Sequence, residues 1–83
     1  MIEIWARVIK EQKIVTDFIY KSSGENLEQM MRSICEKADI PAPLLLDKHK
    51  KQFKKFNQAK FIKEEFVESV DFDRLIIENV TAD

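Results

Sequence analysis

Residues 2–10 and 14–21 alternate apolar with polar side chains, are rich in Ile, Val and aromatic residues, and are separated by the polar Glu11-Gln12-Lys13. Period-two alternation on both sides of a short polar break predicts a β-hairpin. With those three residues as the loop, Lys10 faces Ile14. The pairs that follow are Val8 with Thr16, Arg7 with Asp17, Ala6 with Phe18, Trp5 with Ile19, Ile4 with Tyr20 and Glu3 with Lys21. This register sets opposite charges across from each other twice, whereas a two-residue loop puts Ala6 against Asp17 and Glu3 against Tyr20. Cross-strand pairs contribute roughly 0.2–1 kcal/mol each, which favours the longer loop. Against it, three-residue loops prefer Gly at a left-handed position, and none is present.

Ser22-Ser23-Gly24-Glu25 fits a capping box with Ser22 as N-cap and Glu25 reaching back to it. A helix is expected to follow, because Leu27, Met30, Met31, Ile34, Cys35 and Ala38 form one continuous apolar stripe, and Pro41 stops it near Asp39. At that spacing Met30, Met31 and Cys35 read as core. Pro41-Ala42-Pro43 is a rigid extended connector. Leu44-Leu45-Leu46 is read as the lead into a second helix, with a short strand as the other option. From Asp47 as N-cap, Leu46, His49, Phe53 and Phe56 share one helical face, while Lys48, Lys51, Lys54 and Lys55 crowd another. Like charges at this spacing cost roughly 0.2–0.5 kcal/mol per pair, so such a helix needs a tertiary or ligand partner. Residues 63–69 are expected to add a short turn, and Phe72 to Val80 the last strand, covered on both faces because both are apolar.

The expected fold is α+β, a single domain over residues 1–83: a small antiparallel sheet of hairpin and C-terminal strand with one long helix and one or two short ones, β-β-α-(α)-β. The long helix covers the sheet face of Ile2, Ile4, Ala6, Val8, Phe18 and Tyr20. The opposite face shows Trp5, Ile9, Val15 and Ile19 between the Arg7/Asp17 and Glu3/Lys21 pairs.

Charge is segregated along the chain. Residues 48–63 carry seven lysines and no acid, with Phe53, Phe56 and Phe61 among them, and residues 64–83 carry seven acids against Arg74 alone. A basic, aromatic-laced segment reads as a nucleic-acid surface, and an adjacent acidic segment reads as its own neutralising partner. No apolar run approaches the roughly 18 residues of a membrane span, and the opening MIEIWARVIK has acid and base inside its apolar stretch, unlike a signal peptide, so a cytoplasmic protein without membrane contact is expected. One Cys excludes an internal disulfide, and one His with one Cys cannot supply the usual structural zinc ligands.

The stretches Ile4-Trp5-Ala6-Arg7, Pro43 to Lys48 with Phe53 following, Phe61 and Phe66, and Asp71-Phe72-Asp73 form a pattern over nearly the whole chain. It resembles a family of small proteins of unknown function from anaerobic Firmicutes. The resemblance implies a bacterial cytosolic origin and carries over no functional residues.

Few residues suggest chemistry. His49 has a convenient ordinary pKa, but Asp47, two positions away, does not face it on a helix, so it is read as a partly exposed helical residue near Phe53. Cys35 lies in the apolar stripe, away from the electropositive, accessible setting a reactive thiolate needs. Asp71 and Asp73, with Glu78 or Glu68, are a weak oxygen-ligand set without EF-hand spacing. With a single Gly there is no phosphate cradle. No catalytic residue, metal or cofactor is therefore assigned, and no enzyme is expected. Two readings remain. One is a non-enzymatic protein-interaction or self-associating module using Trp5, Ile9, Val15 and Ile19, unless the second helix folds back over that face with Phe53 and Phe56. The other is binding of RNA or single-stranded DNA through segment 48–63, with Lys48, Lys51, Lys54, Lys55 and Phe56 as contacts. The absence of Arg from that segment weighs against it.

Overall fold

The alternating N-terminal segments pair as β1 (Ile2–Lys10) and β2 (Lys13–Ser22) in a computed structural model that describes residues 1–81. From Glu3/Lys21 to Val8/Thr16 the pairing is the charge-matched register. Nearer the turn it changes: Ile9 faces Ile14 and Lys10 faces Lys13, so Val15 is an extra residue in a β-bulge. The turn is consequently Glu11-Gln12, both at positive φ (52° and 66°). A two-residue turn of this hand matches the twist of the strands, and the bulge restores beyond it the register that a three-residue loop would have set. The missing Gly is thus explained by two strained non-Gly residues.

The chain continues through α1 (Leu27–Ala38), α2 (Asp47–Phe56), β3 (Gln58–Ile62), a 3-10 turn at Lys63–Glu65 and β4 (Arg74–Asn79). The result is an α+β fold with one antiparallel four-stranded sheet in the order β2-β1-β4-β3. The expected C-terminal strand therefore lies inside the sheet, and β3 is a strand that the lysine-rich reading of 48–63 had passed over. Gln58-Ala59-Lys60-Phe61-Ile62 alternates exposed and buried residues, and Asn57 ends α2 in the left-handed conformation (φ 57°).

α1 begins later than Ser22. β2 runs through Ser22, which pairs with Ile2, and Gly24 takes φ 113°. Asn26 is the N-cap: its side chain accepts from Gln29 N–H at 2.9 Å while Gln29 Oε1 accepts from Asn26 N–H at 3.2 Å. Ser22 Oγ still accepts from Glu25 N–H, at 3.2 Å, but as a turn after the strand. At the other end Asp39 is left-handed and Ile40 N–H reaches back to Cys35 O at 3.0 Å, just before Pro41. The connector then runs extended, with Pro43 bridging Phe66 and Leu44 N–H donating to Glu65 O.

The core lies between the helices and one face of the sheet. Met30, Met31, Ile34 and Cys35 of α1 meet Ile4, Ala6, Val8, Ala59, Phe61, Leu75 and Ile77, with Phe66 and Phe72 packed edge to face at one end. Phe18, Tyr20 and Phe53 pack against this cluster from its margins.

Candidate functional site

Because both helices pack on the Ile4/Phe61/Ile77 face, the second helix does not fold back over the other one. Phe53 joins the core and Phe56 is 63% exposed. The uncovered face comprises Trp5, Arg7 and Ile9 of β1, Ile14, Asp17 and Ile19 of β2, Arg74, Ile76 and Glu78 of β4, and Lys60 and Ile62 of β3. β4 is thus covered on one face only, with Ile76 half-buried between Arg7 and Lys60.

At the centre of this face Trp5 and Arg7 form one unit. The Arg7 guanidinium carbon sits 4.0 Å from the Trp5 ring centroid, a stacked cation–π arrangement. Asp17 Oδ2 accepts from the indole N–H at 3.0 Å, and Glu78 Oε1 accepts from Arg7 Nη2 at 2.9 Å. The charges that pointed to the register are therefore opposite in sequence partner but not in ion pairing: Arg7 turns to Glu78, and Asp17 to Trp5. Glu3 and Lys21, though opposite each other, form no ion pair among the described residues.

Of the four residues expected on this face, Trp5, Ile9 and Ile19 lie on it and Val15 does not. Trp5 is half-buried under Arg7, and Ile19 is exposed. Ile9 is buried within the chain at 7% exposure, between Ile14 and Arg74 in the ladder, so it offers little contact. Val15 is exposed but leaves the ladder as the bulge residue, and Ile14 takes the position opposite Ile9. Arg7 and Ile76 complete the patch. Ile76 follows from the apolar residues on both faces of the last strand, whereas Arg7 reads from the sequence only as one half of a charge pair with Asp17.

The lysine segment is divided between two elements. Lys48, Lys51, Lys54 and Lys55 are on α2, whereas Lys60 is on β3. Lys48 is paired with Glu65, whose Oε2 lies 2.6 Å from its Nζ, while its side chain stays half exposed. Lys50, Lys51, Lys54, Lys55, Lys60 and Lys63 form no ion pair among the described residues. Among the described residues the acidic C-terminal third therefore does not neutralise these six by contact. Three of its carboxylates go elsewhere: Glu78 to Arg7, Asp71 toward Lys10 at 3.9 Å, and Asp73 to Glu11 N–H at 2.7 Å. Those engagements also account for the Asp71/Asp73 set, and among the described residues no three His, Cys, Asp or Glu side chains converge on one point.

His49 is fully buried, not partly exposed, and stacks on Phe61 with ring centroids 4.2 Å apart. Its Nδ1 accepts from Leu46 N–H at 3.0 Å. Its Nε2 lies 3.0 Å from Glu65 Oε2. That approach and the one from Lys48 are both off the line of a good hydrogen bond, so the attraction at Oε2 is chiefly electrostatic. Burial alone would push the Glu65 carboxyl up. Lys48, the Ile62 N–H that donates to Oε1 at 2.9 Å, and His49 outweigh it and hold the carboxyl at about 2, below its ordinary 4.5. Burial pushes the Cys35 thiol up to about 11, an unreactive state at neutral pH.

No helix among the described residues is long and apolar enough to cross a membrane. Comparison of the chain with protein-family models, with curated proteins and with solved structures finds no match.

Proposed function

We propose that the protein is a non-enzymatic interaction module whose uncovered sheet face binds another protein chain, either a second copy or a different protein, in a cytosolic setting. The observation that supports it is the Arg7–Trp5 stack, held between Asp17 and Glu78 on a sheet face that neither helix covers. Trp and Arg are the side chains that most often dominate interface energies. A pair already fixed in one geometry loses little freedom when a partner arrives. Ile19, Ile14, Ile62 and Ile76 surround it with apolar surface.

The test is Trp5→Glu. The parent is expected to associate in sedimentation or to retain a partner chain in a pull-down. The variant is expected to stay folded by circular dichroism and to lose that association. A parent that is monomeric at high concentration and retains nothing, together with a variant that unfolds because it carries an unpaired buried carboxylate, would contradict the reading.

A second reading, binding of RNA or single-stranded DNA, is favoured by a separate observation. Lys50, Lys51, Lys54 and Lys55 are without ion pairs among the described residues, and the exposed Phe56 has Lys55 Nζ 5.3 Å from its ring centroid. Unpaired bases stack on such rings, and phosphate contacts make binding steeply salt-dependent. Binding to single-stranded RNA that persists at about 150 mM salt, and that is lost in the Lys51→Glu/Lys54→Glu/Lys55→Glu variant, would favour this reading over the first.

A further inference from the structure

We propose that two copies of this chain associate edge to edge through β2, forming a continuous eight-stranded antiparallel sheet with Ile19 on the two-fold axis. The inference concerns the edge of the sheet, not its uncovered face, and stands or falls separately from the reading of that face.

The two edges of the sheet are not alike. β3 is five residues long, and Gln52 Oε1 of α2 accepts from its Lys60 N–H at 3.3 Å, so part of that edge is already occupied. β2 is ten residues long with neither Gly nor Pro, and apart from its ladder with β1 its backbone makes no hydrogen bond to another backbone group among the described residues. A long unpaired edge is a template for another strand. The bulge at Val15 spoils the end near the turn, which leaves the regular part from Thr16 to Ser22 for pairing.

Charge then selects the register. Alternate residues of an edge strand turn their N–H and C=O outward. Two copies related by a two-fold axis therefore keep a ladder only when outward-facing residues oppose one another, which places the axis at a residue. An axis at Asp17 sets Asp17 against Asp17 and Lys13 against Lys21. An axis at Phe18 or Tyr20 gives none of Lys13, Asp17 and Lys21 a charged counterpart. An axis at Ile19 places Asp17 of each copy against Lys21 of the other, Phe18 against Tyr20, and Ile19 against itself. Lys21 has no ion pair of its own among the described residues, and Asp17 uses only Oδ2 on the Trp5 indole, so both groups are free to meet across the axis. Directly opposed residues share a face. Trp5 and Ile19 of one copy would therefore continue into Ile19 and Trp5 of the other, as one apolar row across the joined sheet.

Sedimentation equilibrium of the full chain from micromolar to roughly millimolar concentration is expected to show a monomer–dimer equilibrium. Lys21→Glu, at an exposed site that faces Glu3 across the hairpin but forms no ion pair among the described residues, should remain folded by circular dichroism and weaken the dimer by about tenfold, because both cross-axis pairs become repulsive. Opposed strand residues are about 4.5–5.5 Å apart at Cα, within the roughly 4.4–6.8 Å a disulfide spans. Ile19→Cys should accordingly cross-link under mild oxidation much faster than Val67→Cys, a control at an exposed loop position. The buried Cys35 does not compete. The proposal is overturned by a chain that stays monomeric throughout, by Ile19→Cys cross-linking no faster than the control, or by a dimer that Lys21→Glu leaves intact and Trp5→Glu dissolves. The last outcome would place a second copy on the uncovered face.

Discussion

At His49 one ring nitrogen accepts from Leu46 N–H at the start of α2 and the other lies 3.0 Å from Glu65, which in turn receives Ile62 N–H at the end of β3. Two helix starts distant in sequence are thus joined through one buried pair, with Lys48 closing it from the solvent side. Nothing local in the sequence links residue 49 to residue 65, so the histidine could be read only against its neighbours Asp47 and Phe53; its actual partners are set by the return of β3. Glu65→Gln keeps the bond to Ile62 and removes the charge. It is expected to cost about 2 kcal/mol at neutral pH, less than the roughly 3 kcal/mol that a drop in pKa from 4.5 to about 2 corresponds to, because Lys48 is half exposed and screened. The carboxyl's folded pKa of about 2 lies below its ordinary 4.5, so its contribution is complete above the ordinary value and is lost as pH falls toward the folded one. Urea titrations of parent and variant should therefore differ at pH 7 and converge between about pH 4.5 and pH 2. A constant difference over that interval would remove the charge from the explanation.

Among the elements, the hairpin and α1 were legible because each repeats one period over many residues. Their ends were not, since an end depends on one or two dihedral angles. The β1–β2 turn shows this best: Glu11 and Gln12 occupy left-handed positions that neither favours, and the bulge hides the difference from a longer loop. Replacing them with Asn-Gly, the pair such turns prefer, should stabilise the protein by about 1 kcal/mol, read as a higher denaturation midpoint with an unchanged slope. Glu11 donates to Asp73 through its backbone N–H, which the replacement keeps. β3 was missed for the opposite reason. Its five-residue alternation was present in the sequence but lay within the run of lysines, whose spacing also suits a helix, and the decisive mark was Asn57, a residue tolerant of the left-handed conformation that separates α2 from β3.

Across the whole molecule, the order β2-β1-β4-β3 divides the sheet into two interior strands laddered on both sides and two edges of unequal protection. The placement of β4 between β1 and β3 makes the C-terminal strand central, and its covered face, Leu75 and Ile77, is fully buried. Local opening is easiest where backbone amides face water. Amide hydrogen exchange at low concentration is therefore expected to be slowest in β1 and β4, with every second amide of β2 exchanging close to its free rate. Raising the protein concentration separates the modes of association. Edge pairing about Ile19 slows those outward β2 amides and leaves the indole environment of Trp5 nearly unchanged, because the uncovered face stays open. Face-to-face association shifts the Trp5 fluorescence and leaves the outward β2 amides fast. A concentration series that changes neither would leave the chain monomeric in solution, with the Trp5–Arg7 platform open to a partner of a different sequence.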